Sequence, residues 1–129
     1  MADKLTRILY VEDEPDIQTV ARIALETVGG FTLEICSSGN EALSRAPGFQ
    51  PQLILLDVMI PVMDGPAMLK MLRGMPQFAS TPVIFMTAKV QPSEVAGYKE
   101  LGAVDVIPKP FDPMTLSKQV QAIWERCHG

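Results

Sequence analysis

The chain has 129 residues, 47% of them hydrophobic and 20% charged, which suits one domain with a real core and leaves no room for a second. A net charge of −4 and an isoelectric point of about 4.9 argue against DNA or an anionic membrane as main partner, since both demand a basic face. Cys36 and Cys127 form no C-x-x-C, and the opening MADKLTRILYVEDE meets acids too early for a signal peptide or a membrane span, so a reduced cytoplasmic protein is expected.

Short apolar runs alternate with helical patterns along the chain. RILYV (7–11) reads as the first strand, and Ile17, Val20, Ala21, Ala24, Leu25 and Val28 then follow at helical spacing up to Gly29-Gly30. TLEIC (32–36) is the second strand. Ser38 to Glu41 has the spacing of a capping box and opens a short helix expected to end before Pro47. LILL (53–56) lacks polar alternation, so it reads as a third strand buried on both faces. Asp64, Gly65 and Pro66 open a helix that Gly74 stops. PVIFMT (82–87) is the fourth strand, Pro92 lies near the start of a helix closing at Gly102, and VDVI (104–107) is the fifth strand. Asp112-Pro113 starts the last helix, with Leu116, Val120, Ile123, Trp124 and Cys127 on one face.

Strand–helix units with short links predict an α/β fold: a single doubly wound parallel sheet of five strands, helices on both faces, one domain over residues 1–129. The fifth strand holds Asp105 and runs into Pro108, which cannot donate to a ladder, so it belongs at an edge.

In an open parallel sheet, ligands bind beyond the carboxyl ends of the strands. Glu12-Asp13-Glu14 follow the first strand, Asp57 the third, Thr87 the fourth and Lys109 the fifth, so acids, a hydroxyl and an ammonium converge on one edge. Gathered carboxylates repel unless a cation neutralises them. Mg²⁺, which takes oxygen ligands and keeps several waters, suits the set; no histidine or cysteine lies near to favour a softer metal. Asp57 is then free to act as a nucleophile toward phosphorus, with Lys109 and Thr87 placed to neutralise the phosphoryl oxygens.

The acidic pair Glu12-Asp13, Asp57 in LLDVMIPVMDG, MTA at 86–88 and KPF at 109–111 resemble the receiver domains of two-component response regulators, in order and over nearly the whole chain. The resemblance implies the strand order 2-1-3-4-5 of the chemotaxis regulator of that family, which is the standard example of this order. It implies that Asp57 takes a phosphoryl group from a histidine kinase or a histidine phosphotransfer protein. It implies Mg²⁺ on Asp13, Asp57 and the Met59 carbonyl, with Glu12 acting through water, and Thr87 and Lys109 as the groups that follow the phosphoryl. It implies a cis Lys109–Pro110 bond. The chain would catalyse only its own phosphorylation and dephosphorylation, as a stand-alone receiver that signals to an unknown downstream protein by contact or by passing the group on. Delivery would come over the apolar start of the first helix, around Ile17 and Val20, with Pro110 and Phe111.

Plainer readings stand beside these. Glu12, Asp13 and Glu14 could cap the first helix, Asp64 reads as a cap rather than a ligand, and the methionines read as core filler. The alternative function is a receiver-fold interaction module that is never phosphorylated, whose mark would be a missing site residue. A phosphatase of the haloacid dehalogenase type resembles D-x-D on the first strand, whereas here the residue two after Asp57 is Met59. A flavodoxin-type FMN carrier would need hydroxyls where Glu12-Asp13-Glu14 stand. One departure from the family is Val106, three residues before the lysine, where many receivers carry Tyr or Phe. A small valine stiff at χ1 has no large inward and outward states, so the fourth-helix face is expected to change little on phosphorylation.

Overall fold

The structure, a computed structural model, describes residues 4–60 and 62–128; the ends of the expected 1–129 domain and Pro61 lie outside the described residues. Five strands, β1 (Arg7–Val11), β2 (Thr32–Cys36), β3 (Leu53–Asp57), β4 (Val83–Thr87) and β5 (Asp105–Pro108), form one sheet in the order β2-β1-β3-β4-β5. Every neighbouring pair is parallel. The helices are α1 (Pro15–Arg22), α2 (Gly39–Phe49), α3 (Gly65–Arg73), α4 (Pro92–Glu100) and α5 (Leu116–His128).

The sheet is covered on both faces. Ile8, Tyr10, Leu53 and Leu55 meet Ala21 of α1, Leu25 just beyond it and Val120 of α5 on one side. Leu9, Val11, Ile54 and Leu56 meet Ala42 of α2 and Met68 and Leu72 of α3 on the other. Alternate residues of a strand face opposite ways, so β3, flanked by β1 and β4, buries all five of its residues. Its continuous apolar run follows from that place. Each such Leu or Ile contributes roughly 1.5–3 kcal/mol of transfer free energy. The edge strand β5 tolerates Asp105 because Arg126 of α5 pairs with it and Lys99 at the end of α4 lies nearby.

Several local expectations are corrected. α2 does not end before Pro47 but runs through it to Phe49, and Gln50 (φ 55°) closes it with its N–H on the Ala46 carbonyl at 2.8 Å. Pro47 is exposed and in the last turn, where the donor it lacks costs the helix little. The first helix continues as a π-helical stretch, Ile23–Val28. Its wider turn carries Val28 off the face that buries Ala21 and Leu25, leaving it 41% exposed. Asp112 starts a turn rather than the last helix: its Oδ1 accepts from the Met114 N–H and its carbonyl from Thr115 and Leu116, and regular helix begins at Leu116. A short 3₁₀ turn, Pro76–Phe78, was not foreseen. The methionines divide, with Met68 and Met86 buried but Met59, Met71 and Met114 exposed.

The caps at Ser38 and Asp64 form, the first accepting from the Glu41 N–H at 3.1 Å and the second from the Ala67 N–H at 2.9 Å. Among the described residues, no helix is long and apolar enough to cross a membrane.

Candidate functional site

Parallel pairing carries the ends of β1, β3, β4 and β5 to one edge, and single backbone bonds extend the ladders one step beyond. The Glu12 N–H reaches the Cys36 carbonyl at 2.9 Å, Val58 reaches Met86 at 3.1 Å and Lys109 reaches Thr87 at 2.9 Å. These bonds fix the backbone of the residues that carry the polar groups. Strand parity then aims the side chains. Glu12 continues the side of Ile8 and Tyr10, and Asp57 that of Leu53 and Leu55, so both carboxylates turn toward the α1–α5 face.

There the groups meet. Lys109 Nζ lies 3.0 Å from Asp57 Oδ2 and 3.0 Å from Glu12 Oε1. Oxygens of Glu12, Asp13 and Asp57 lie within 4.8 Å of one another. Glu12 Oε2 accepts from the Glu14 N–H at 3.2 Å, and Asp57 Oδ1 from the Met59 N–H at 3.1 Å. Glu12 is fully buried and Asp57 is 4% exposed, so each needs these donors. The Lys109–Pro110 bond is cis. The loop after β3 folds back tightly: Gly65 donates to the Val58 carbonyl at 3.1 Å, and a side chain at Gly65 would come within 3.0 Å of Val58 Cα.

The electrostatics follow from burial and proximity. Burial raises the Glu12 pKa and the Asp57 charge adds to the rise, while Lys109 and the Glu14 N–H oppose it. Burial alone would lower the Lys109 pKa, but hydrogen bonds to Glu12 and Asp57 and their charges outweigh it and the net shift is upward. The ammonium therefore stays charged at neutral pH and holds the two carboxylates apart from mutual repulsion. An all-oxygen donor set this compact, with soft ligands absent from it, fits a hard divalent cation such as Mg²⁺.

The structure thus unites Glu12, Asp13, Asp57 and Lys109. Thr87 stands at the same edge, buried, but its hydroxyl accepts from the Lys89 N–H at 3.0 Å rather than touching the carboxylates. Glu14 is the N-cap of α1 yet makes no side-chain capping bond, so the capping reading of the acids fails at that position. Asp64 acts as a cap, as expected. Sequence reasoning missed Tyr10, whose buried hydroxyl donates to Glu12 Oε1 at 3.3 Å. The signal was its position two residues before Glu12 on the same strand face. Burial first, then the charges of Glu12 and Asp57, push its pKa up, so it stays a donor.

Beside the cluster lies an apolar groove of about 200 Å³, lined by Asp16, Ile17, Val20, Lys109, Pro110 and Phe111. Val106 of β5 is half-buried against the cluster that includes Phe85 and Tyr98, whose rings meet edge to face at 5.3 Å.

A five-stranded 2-1-3-4-5 sheet with this acidic edge is the architecture of signalling receivers. The sequence matches the response regulator receiver domain family over residues 8–121, and the chain belongs to that family. It is 39% identical over 120 residues to the alkaline phosphatase synthesis transcriptional regulatory protein PhoP of Bacillus subtilis, an alignment covering 93% of this chain and 49% of that protein. The chain therefore spans about half the length of the curated relatives it matches. The chemotaxis protein CheY4 of Vibrio cholerae superposes with a TM-score of 0.85 at 31% identity, covering 93% of this chain and 99% of that one. A receiver domain of a signal transduction histidine kinase from Syntrophus aciditrophicus gives 0.79 at 34% identity, over 94% of this chain and 91% of that one.

Proposed function

We propose that residues 1–129 act as one receiver unit in which Asp57 accepts a phosphoryl group from a phosphohistidine on a histidine kinase or a histidine phosphotransfer protein. The observation that carries this reading is the Lys109 ammonium 3.0 Å from a buried Asp57 carboxylate, inside a cluster of three acids. A carboxylate oxygen of Asp57 attacks phosphorus, the P–N bond breaks, and its electron pair stays on the departing imidazole. The product is an aspartyl phosphate. Lys109 turns from the carboxylates to a phosphoryl oxygen, and the Thr87 hydroxyl leaves the Lys89 N–H for another. Asp13, Asp57 and the Met59 carbonyl would hold Mg²⁺, with Glu12 acting through water. When bound there, Mg²⁺ supplies positive charge against the phosphoryl oxygens.

The chain's own chemistry stops at gaining and losing this group; it converts no other substrate. The phosphorylated form signals to a downstream protein by contact or by passing the group on. The alternative, an interaction module that is never phosphorylated, finds no missing site residue to support it. An acyl phosphate with Mg²⁺ tests the reading: the wild type is expected to gain one phosphoryl group, stable to neither acid nor base, and Asp57→Asn none. Equal labelling of the two proteins would refute it.

A further inference from the structure

Tyr10 has no part in the transfer as described, yet it is the only polar side chain on the inner part of β1. Ile8, Leu9, Tyr10 and Val11 are all fully buried, and three of the four are aliphatic. Tyr10 pairs in register with Ile35 and Leu55, again aliphatic. Nothing in that layer asks for a hydroxyl. The ring carries it past the apolar layer to Glu12 Oε1, where a buried Tyr finds the partner it needs.

We infer that Tyr10 is a positioning residue: its hydroxyl holds the Glu12 carboxylate in the orientation that serves the metal and phosphoryl site. Glu12 Oε1 takes both Tyr10 at 3.3 Å and Lys109 at 3.0 Å, while Oε2 takes the Glu14 N–H. The inference rests on the reading in which Lys109 leaves for the phosphoryl group. Once it leaves, Glu12 Oε1 would lose its strongest donor while remaining buried. The Tyr10 hydroxyl would stay, because its strand is held by pairing on both sides. Tyr10 would then be the remaining side-chain donor to Oε1 of the two this oxygen has here. Outer-shell partners of this kind are worth a good share of a metal site's affinity.

Tyr10→Phe removes the hydroxyl and keeps the ring. Titration calorimetry with Mg²⁺ is expected to give roughly threefold weaker binding than wild type, less than for the partner of a direct ligand, because Glu12 itself acts through water. In the metal-free protein, the Glu14 amide resonance should move, because that N–H sits on Oε2 of the same carboxylate, while Ala67, held by Asp64, should not. In a Glu12→Gln background, Tyr10→Phe should add no further loss. Tyr10→Leu, which also removes the ring, should cost stability but no more affinity than Tyr10→Phe. Wild-type affinity in Tyr10→Phe, or an equal further loss in the Glu12→Gln background, would overturn the inference. If the wild type itself takes up no Mg²⁺, the metal reading under the proposed function fails. The Glu14 amide then decides the matter alone: displaced, Tyr10 holds Glu12; unmoved, it does not.

Discussion

Val62 has a φ of 71° and a side chain fully open to solvent. A β-branched residue in the left-handed region is strained, and no burial compensates it here. Val62→Gly should therefore stabilise the fold by about 1 kcal/mol, seen as a higher urea midpoint at unchanged slope. Gly29 makes the opposite case. A Cβ there would lie 2.7 Å from Ser117 Cβ, where the end of the first helix meets α5. Gly29→Ala should cost roughly 1–3 kcal/mol, since neither backbone can retreat from a packed core. Residue-scale strain of both kinds was illegible beforehand. Val62 looked like any apolar loop residue, and Gly29 looked like a helix stop.

Among the elements, the strands were the most readable. Each is a short apolar run whose composition records how many faces are covered: β3 unbroken at the centre, β5 with an acid and a proline at the edge. The site was readable for the same reason, because a polar residue that ends such a run can only project from the sheet's carboxyl edge. Helix limits were harder. Pro47 and Asp112-Pro113 carry strong local signals, but solvent exposure of the last turn and a preceding turn decided where α2 ended and α5 began. Arg73 shows how a distant residue can govern an element. From the end of α3 its guanidinium donates to the Phe78 and Thr81 carbonyls at 2.9 and 2.8 Å, and to Gly102 at 3.3 Å. It ties the 3₁₀ turn and the α4–β5 link to α3. Arg73→Met keeps the stem and removes those bonds, and should cost roughly 2 kcal/mol in thermal or urea unfolding. α4 buries none of its residues and is held mainly at its end, by Tyr98 against Phe85 and Lys99 beside Asp105. Its amides should exchange faster than those of α3, which amide-exchange mass spectrometry can check.

At the scale of the whole molecule, the proposed function gives chemistry to the acidic edge and recognition to the groove beside it. A small acyl phosphate needs only the edge. A phosphohistidine carrier must also lie over the surface beside Lys109, where Ile17, Val20, Pro110 and Phe111 form the groove. Ile17→Glu and Phe111→Glu should slow transfer from a phosphohistidine protein at least tenfold, a loss of about 1.4 kcal/mol in the barrier, and leave acyl phosphate labelling intact. Equal loss with both donors would mean damage to the fold instead of to docking. Val106 belongs to this scale too. With Tyr98 and Phe85 already in edge-to-face contact beside it, the face of α4 and β5 has its aromatic bulk in place rather than on a moving strand-end ring. Amide shifts with beryllofluoride are expected to cluster around Asp57 and Thr87 and to stay small on α4.

The ion pairs at the centre of the site join residues far apart in the chain, Lys109 to Glu12 across 97 positions and to Asp57 across 52. During synthesis, Asp57 leaves the ribosome well before Lys109 does. At about 5–20 residues per second, several seconds separate the two. Through that interval Glu12 and Asp57 lack the Lys109 ammonium that balances them, and the sheet lacks its edge strand β5. A nascent chain therefore carries Asp57 without the rest of its site, and the polar edge is complete only as β5 and its lysine join the sheet.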